Sequence, residues 1–583
     1  MKRIALIIVV AQLCRVGCAV DAPLTIGGNK IWSGTNRFNN AANFPGGLSG
    51  NPPFSDNPTV AGSFSGNTSK KGASSDSEIY VSSNGNDAND GLSLGMAKAT
   101  LAGAKAACPA SFCCIHISAG GVRLAASVTF TTAVILQCSP RATITYSANN
   151  KQIIFNGQGS AVFGCGFVGA GAGNAASPPV VSSKSFFVFS HNSISSFGST
   201  GGLGELSIIG GQNIQVIDNI FNQNGDMDVA VLNATTSQVM FSILIAKNIG
   251  SDILVSNSGA GASLAAVNIE NNNLSNGEAS KGNPCISTTS TDANISDLTV
   301  ASNVCVLSTA TPTVAFDIAN VTMLDFYGNI YDASGFNSTI QALKLTNINF
   351  ATVTGNSFTN SGFGSGVLAE RLNSSNIAGN TITGLSATGI GYLLTVATDS
   401  GVSASNTFTG NTANLPEGST GTGFSQVCNA TSAVCSNNIF TGNSVFNGSI
   451  GIGLTNIKGT TSGNYLGPNY LNTATTGVSV GAGVTNASIA PQKFVAVTAP
   501  YNDSGTGTDI QNRSYAGTVT LATGTGTFTI PAGGAFSTTE TFACNSNDTT
   551  TIANPSKAVP ASTTTATVTG TGTDVIAVTC SGH

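Results

Sequence analysis

The chain has 583 residues, and only 8% of them are Asp, Glu, Lys or Arg, against about 25% in an ordinary globular protein. The formal net charge is −5, and without basic patches nucleic acid is excluded as a partner. The apolar fraction is 41% and patterned, with 70 Gly and abundant Asn, Ser and Thr, so the expectation is a rigid folded object with a polar, nearly uncharged surface.

The N-terminus reads as an export signal. Lys2 and Arg3 precede the apolar run from Ile4 to Leu13, and Gly17-Cys18-Ala19 offers a small-x-small cleavage site, giving a signal peptide over 1–19. The run is too short to span a bilayer, and no other segment is apolar enough to cross one. Lipid anchoring at Cys18 is disfavoured, because Arg15 stands where an aliphatic residue is required. The expected location is secreted or cell-surface, where disulfides are permitted. Cys114, Cys138 and Cys165 are spaced to stack, Cys428 and Cys435 to close a short loop, and Cys544 and Cys580 to staple the C-terminal segment. No Cys or His spacing suits a structural zinc.

Residues 20–77 form a Gly/Asn/Ser-rich stalk or linker punctuated by Phe38, Phe44, Phe54 and Phe64. Within it, the wording from Gly27 to Phe38 resembles stalk segments that precede bacteriophage tail-fibre and tailspike bodies. From Ile79 a strand runs into an Asn/Gly/Asp turn, and the Ala-rich stretch Ala97 to Cys108 has helical spacing and ends at Pro109. Asp87 and Asp90 carry oxygens that could hold Ca²⁺, but a turn bonding its own backbone accounts for them better.

Across the middle of the chain an Asn returns about once per coil, at Asn192, Asn219, Asn248, Asn272, Asn303, Asn329, Asn356 and Asn380, with Asn438 and Asn464 beyond. A period of this length announces a repeat architecture, and short apolar alternations between the Asn predict coils stacked about 4.8 Å apart. Asn tolerates left-handed backbone angles and can bond turn backbone, so these Asn are expected to be scaffold. The fold class is all-β: a single-stranded right-handed parallel β-helix over 78–490, capped by an N-terminal helix. Past Asn486 the beat disappears, and Thr alternates with Val, Ile, Leu and Phe, which predicts a small antiparallel β domain over 491–583.

The capped opening and the repeats, over about 78–490, resemble the pectin-lyase-like superfamily of secreted β-helix proteins. That resemblance implies the fold but no single activity, because the superfamily holds lyases, hydrolases, epimerases, adhesins and phage spikes. The C-terminal texture resembles trimerisation modules of tail fibres, which places a homotrimer among the assemblies open to the chain.

On so uncharged a surface, charges that coincide in successive coils stand out. An alignment at 27-residue steps places Asp317, Lys344 and Arg371 in one outward column, with Glu370 turned toward the core. A basic pair beside an acid suits an acidic sugar, with Arg on its carboxylate and Lys polarising it or removing a proton. The alternative is a surface charge ladder, in which each pair contributes about 0–1 kcal/mol. A second alignment places Asp228 over Asp252, with Asp226 and Glu278 nearby. Stacked carboxylates of this kind serve glycosidases as acid and nucleophile or base, or hold Ca²⁺, or begin strands for local hydrogen-bonding reasons. The expected catalytic residues are Asp228, Asp252, Lys344 and Arg371, with Asp226, Glu278, Asp317 and Glu370 binding substrate. Tyr327, Tyr331 and Tyr392 are candidates for stacking on sugars. The function expected is engagement of a polysaccharide or cell-surface glycan, with cleavage by a lyase or hydrolase mechanism open. The alternative is a non-catalytic adhesin, fibre or surface structural protein.

Overall fold

The computed structural model describes residues 76–582, apart from the short stretches 172–176, 198–203, 223–226, 251, 277–282, 291–294, 308–313, 334–340, 398–400, 512, 531–541 and 552–553. The expected signal peptide, nearly all of the stalk, Asp226 and Glu278 lie outside the described residues. The molecule is a parallel β-solenoid of about 13 turns. Its coherence is plainest in one inward column, which starts Ile79, Ile115, Leu136, Val162, Phe189 and Val216. The same column ends Phe408, Phe440, Leu466, Ile489 and Ile510. Every one of these side chains is buried. Apolar residues flanked by polar ones on a strand of period two can bury one face only, so stacking coils is the way each finds its partner.

The N-terminal end is closed by the helix Leu101–Ala107, which buries Leu101 and Ala104. Thr100 caps it, its Oγ1 accepting from the Gly103 N–H. The Asp87 side chain is used here as well, accepting from the Ala99 and Thr100 N–H groups and the Thr100 hydroxyl. Burial pushes the Asp87 carboxyl up, but the Thr100 and Ala99 hydrogen bonds and nearby Lys98 outweigh it and hold it below the usual range. Asp90 accepts from the Leu92 N–H. The turn reading holds for Asp90, whereas the Asp87 carboxylate bonds the start of the helix 12 and 13 residues along and not its own turn.

The recurrent Asn are buried, and those from Asn192 to Asn380 form one continuous ladder. The Asn219 Oδ1 accepts both the N–H and the side-chain amide of Asn192, while its own Nδ2 donates to the Phe189 carbonyl. The left-handed residue is the one before each Asn: His191, Asp218, Lys247, Asn271 and Ser302, then Gly328, Gly355, Gly379, Gly410 and Gly442, all with φ between 54° and 65°. The later Asn do not extend this ladder in simple sequence order. Asn380 passes to Asn411, Asn443 and Asn469, whereas Asn438 and Asn464 belong to a separate ladder begun by Asn406.

Parallel pairing continues to Ile510. It is followed by two small antiparallel sheets, one of Arg513–Thr520, Val575–Gly582 and Phe542–Asp548, the other of Thr525–Thr529, Thr565–Thr569 and Lys557–Ser562. Disulfides join Cys428 to Cys435 and Cys544 to Cys580, as the spacing suggested, and also Cys108 to Cys113 and Cys285 to Cys305. Cys138 and Cys165 bridge adjacent coils. Cys114 is not in their column: it pairs in register with Ile135, and Cys138 stands opposite Ile117.

Candidate functional site

Asp228 and Asp252 occupy adjacent coils in register. Their following residues Val229 and Ile253 pair, and the Asp228 N–H donates to the Asp252 Oδ1 at 2.9 Å. The Asp252 Oδ2 accepts from the Asn283 amide at 3.1 Å. Glu205 joins them from the coil before, since Leu206 pairs with Val229 and the Leu206 N–H donates to the Asp228 carbonyl. It was legible as the acid 23 residues before Asp228 that also precedes a short strand, Leu206–Ile208. The position over Asp252 is Cys285, because Ile253 pairs with Ile286.

These three carboxylates are buried, at 0% exposure for Glu205, 2% for Asp228 and 4% for Asp252. The column explains why. Further along, it passes through Ala315 and Ala342 to Gly366, Gly391 and Gly423, at the corner where the chain enters the sheet. A Cβ at Gly391 would come within 2.5 Å of the Gly423 carbonyl oxygen. The acids thus stand in a column that narrows to Ala and then Gly in later coils, and their burial keeps a polymer off them. Asp252 thus accepts from a backbone N–H and a side-chain amide, a structural use of its oxygens.

The outward face of the same sheet carries the exposed charges. Asp317 pairs in register with Lys344, with the Lys344 Nζ 3.9 Å from the Asp317 Oδ2 and both side chains about one-third exposed. Burial raises the Asp317 carboxyl above its ordinary range, and the Lys344 charge opposes this only partly. Asp317 therefore holds its proton to higher pH than a free Asp.

Arg371 does not complete this column. The next coil is shorter, so Lys344 pairs with Leu368, 24 residues on rather than 27. The Arg371 backbone has φ 57°, matching Asn320 and Asn347 at 56°, and it takes their place at the corner. Glu370 pairs with Thr346 and with Thr395. It is half-buried and alternates with buried Ala369, so it lies on the outward face, two residues beyond the partner of Lys344. Asp317, Lys344 and Glu370 thus share one sheet face over three coils. Of the tyrosines, Tyr331 and Tyr392 are buried, the Tyr392 hydroxyl donating to the Asn380 carbonyl. Tyr327 is 43% exposed.

Among the described residues, no group of three or more His, Cys, Asp or Glu is placed to hold a metal ion, and no helix is long and apolar enough to cross a membrane. No known family profile matches the sequence, and no curated protein is similar to it. Solved structures share its general course at low identity. The tailspike gp61 of Pseudomonas phage phi297 is 8% identical over 82% of this chain and 90% of its own, with a TM-score of 0.38. The tailspike of E. coli bacteriophage HK620, solved with a hexasaccharide, is 12% identical over 81% and 87%, with a TM-score of 0.36. The A-module of the Azotobacter vinelandii mannuronan C-5 epimerase AlgE6 is 9% identical over 66% and 90%, with a TM-score of 0.28. At such values the site and its chemistry rest on this chain's own residues.

Proposed function

We propose that the chain engages an extracellular polysaccharide on the outward sheet face carrying Asp317, Lys344 and Glu370, and that these residues act on its glycosidic bonds. The observation that carries the reading is the in-register Asp317–Lys344 pair, about one-third exposed on a surface with very few charges. A raised carboxyl beside an ammonium is suited to proton transfer, and Lys344 supplies a counter-charge for an acidic sugar. Asp317 and Glu370 stand two coils apart, about 10 Å along the axis. With the further two-residue offset along the strand, this exceeds both the roughly 5–5.5 Å of a retaining pair and the roughly 6.5–9.5 Å of an inverting pair, so Asp317 with Lys344 is assigned the proton transfer and Glu370 substrate binding. Asp228 and Asp252 are assigned here a structural role, and Arg371 a corner role. The disulfides suit an oxidising compartment, in keeping with export by the N-terminal signal.

The second reading is binding without cleavage. It draws on the neighbouring outward column Thr352, Asn376 and Thr407, a row of uncharged hydrogen-bonding groups. The purified protein, incubated with acidic and neutral polysaccharides, separates the two. Unsaturated, ultraviolet-absorbing ends would indicate a lyase, and new reducing ends alone a hydrolase. In either case Lys344→Ala and Asp317→Asn should each lower the rate by about a hundredfold or more, with the unfolding midpoint nearly unchanged. Retained binding with no new ends across the panel would establish the second reading.

A further inference from the structure

A shallow cleft of about 390 Å³ opens near the last coils, lined by Gly442, Pro468, Tyr470, Pro491 and Lys493 over the buried amides of Asn443 and Asn469 and the last amide, Gln492. Its origin is a change of corner. Gly355, Gly379, Gly410 and Gly442 make the left-handed turn before each ladder Asn, but the equivalent residues before Asn469 and Gln492 are Pro468 and Pro491. Proline is fixed near φ −65° and cannot make that turn. The ladder closes with Gln492, whose longer side chain still reaches the Asn469 N–H at 3.1 Å and its amide at 2.9 Å.

The outward column beside this corner is Thr381, Thr412 and Ser444, and then Tyr470 and Lys493. Small hydroxyls give way to an aromatic ring and a cation only where the corner changes. The Lys493 Nζ lies 5.2 Å from the Tyr470 ring centroid. The ladder occupies the amides, so a ligand meets two exposed prolines, the half-exposed Tyr470 and the exposed Lys493. The lining holds one cation and no carboxylate.

We infer that this cleft is a second carbohydrate subsite selective for acidic saccharides, with Pro468, Pro491 and Tyr470 as its apolar floor and Lys493 as the counter-charge to a sugar carboxylate or sulfate. It rests on the polysaccharide reading above. It lies on a different sheet from Lys344 and five coils further along, about 24 Å, so it anchors a chain independently of the Asp317 face.

The test applies a panel of acidic and neutral oligosaccharides of matched length to the wild type and to Lys493→Gln, Tyr470→Ala and Lys344→Ala proteins, each checked for an unchanged unfolding midpoint. The expected result is retention of acidic members only. Lys493→Gln and Tyr470→Ala should each weaken it about tenfold or more, and rising salt should weaken the wild type toward the Lys493→Gln level. Acidic binding that is unchanged in both cleft variants and lost in Lys344→Ala would overturn the subsite and leave the polysaccharide reading standing. Retention of neutral members alone would overturn the subsite's selectivity. No retention of any member would overturn both.

Discussion

Gly355 and Gly391 look interchangeable in the sequence, yet they serve different physical needs. Gly355 has φ +63° and open space where a Cβ would sit, so Gly355→Ala should cost only the left-handed backbone term, about 1 kcal/mol. Gly391 has no such angle, but a Cβ there would come within 2.5 Å of the Gly423 carbonyl and 2.6 Å of the Ala413 methyl. Gly391→Ala should cost about 3 kcal/mol or more through displaced backbone. Chemical unfolding of the two variants checks the order. At this scale the sequence revealed the recurrent Asn but not which residue turns left-handed. His191, Asp218 and Lys247 do so with side chains that give little notice of it, because the ladder next to them holds the corner.

At the scale of the element, the amide ladder is worth more than its individual hydrogen bonds, since each rung satisfies buried donors of its neighbour. The Asn303 Oδ1 accepts both the N–H and the amide of Asn272, and its Nδ2 donates to the Ile269 carbonyl. Asn303→Ala leaves two buried donors of Asn272 unpaired, which should cost about 2–5 kcal/mol. Asn464→Ala should cost less, because its Oδ1 accepts only the Asn438 N–H while the Asn438 amide goes to Gln426 and Ser403. Denaturant midpoints would separate the two. The charged column teaches the complementary lesson. Asp317 over Lys344 was legible because that step is 27 residues, whereas the step to Leu368 is 24. A loop three residues shorter moved Arg371 to a corner and turned Glu370 outward.

For the whole molecule, a solenoid couples its coils only to their neighbours, so its ends are where acid or denaturant acts first. His116 lies in the second coil strand, stacked on Tyr80 with ring centroids 5.1 Å apart. Burial lowers its pKa, and Glu78 opposes this only in part. A depressed histidine favours the neutral form in the folded state, so the unfolded chain takes up the proton first. Stability should therefore fall as pH drops from about 6.5, the ordinary histidine value, to the lower folded value, and this contribution is flat below that. His116→Phe should flatten the pH dependence of unfolding in that window. An unchanged slope would mean that the first coil does not sense His116.

By itself the sequence determined the parallel β-solenoid, the scaffold role of the Asn, two of the disulfides and the pairing of Asp317 with Lys344. All of these follow from short-range periodicity, which the pleat of a strand and the stacking of coils translate directly into space. Only the tertiary structure decided that Asp228 and Asp252 are buried with Glu205, that Arg371 leaves the charged face, and that Pro468 and Pro491 open a cleft beside Tyr470 and Lys493. Those outcomes depend on the length of each coil and the space at each corner, which are set by contacts between coils and not by the wording of any one of them.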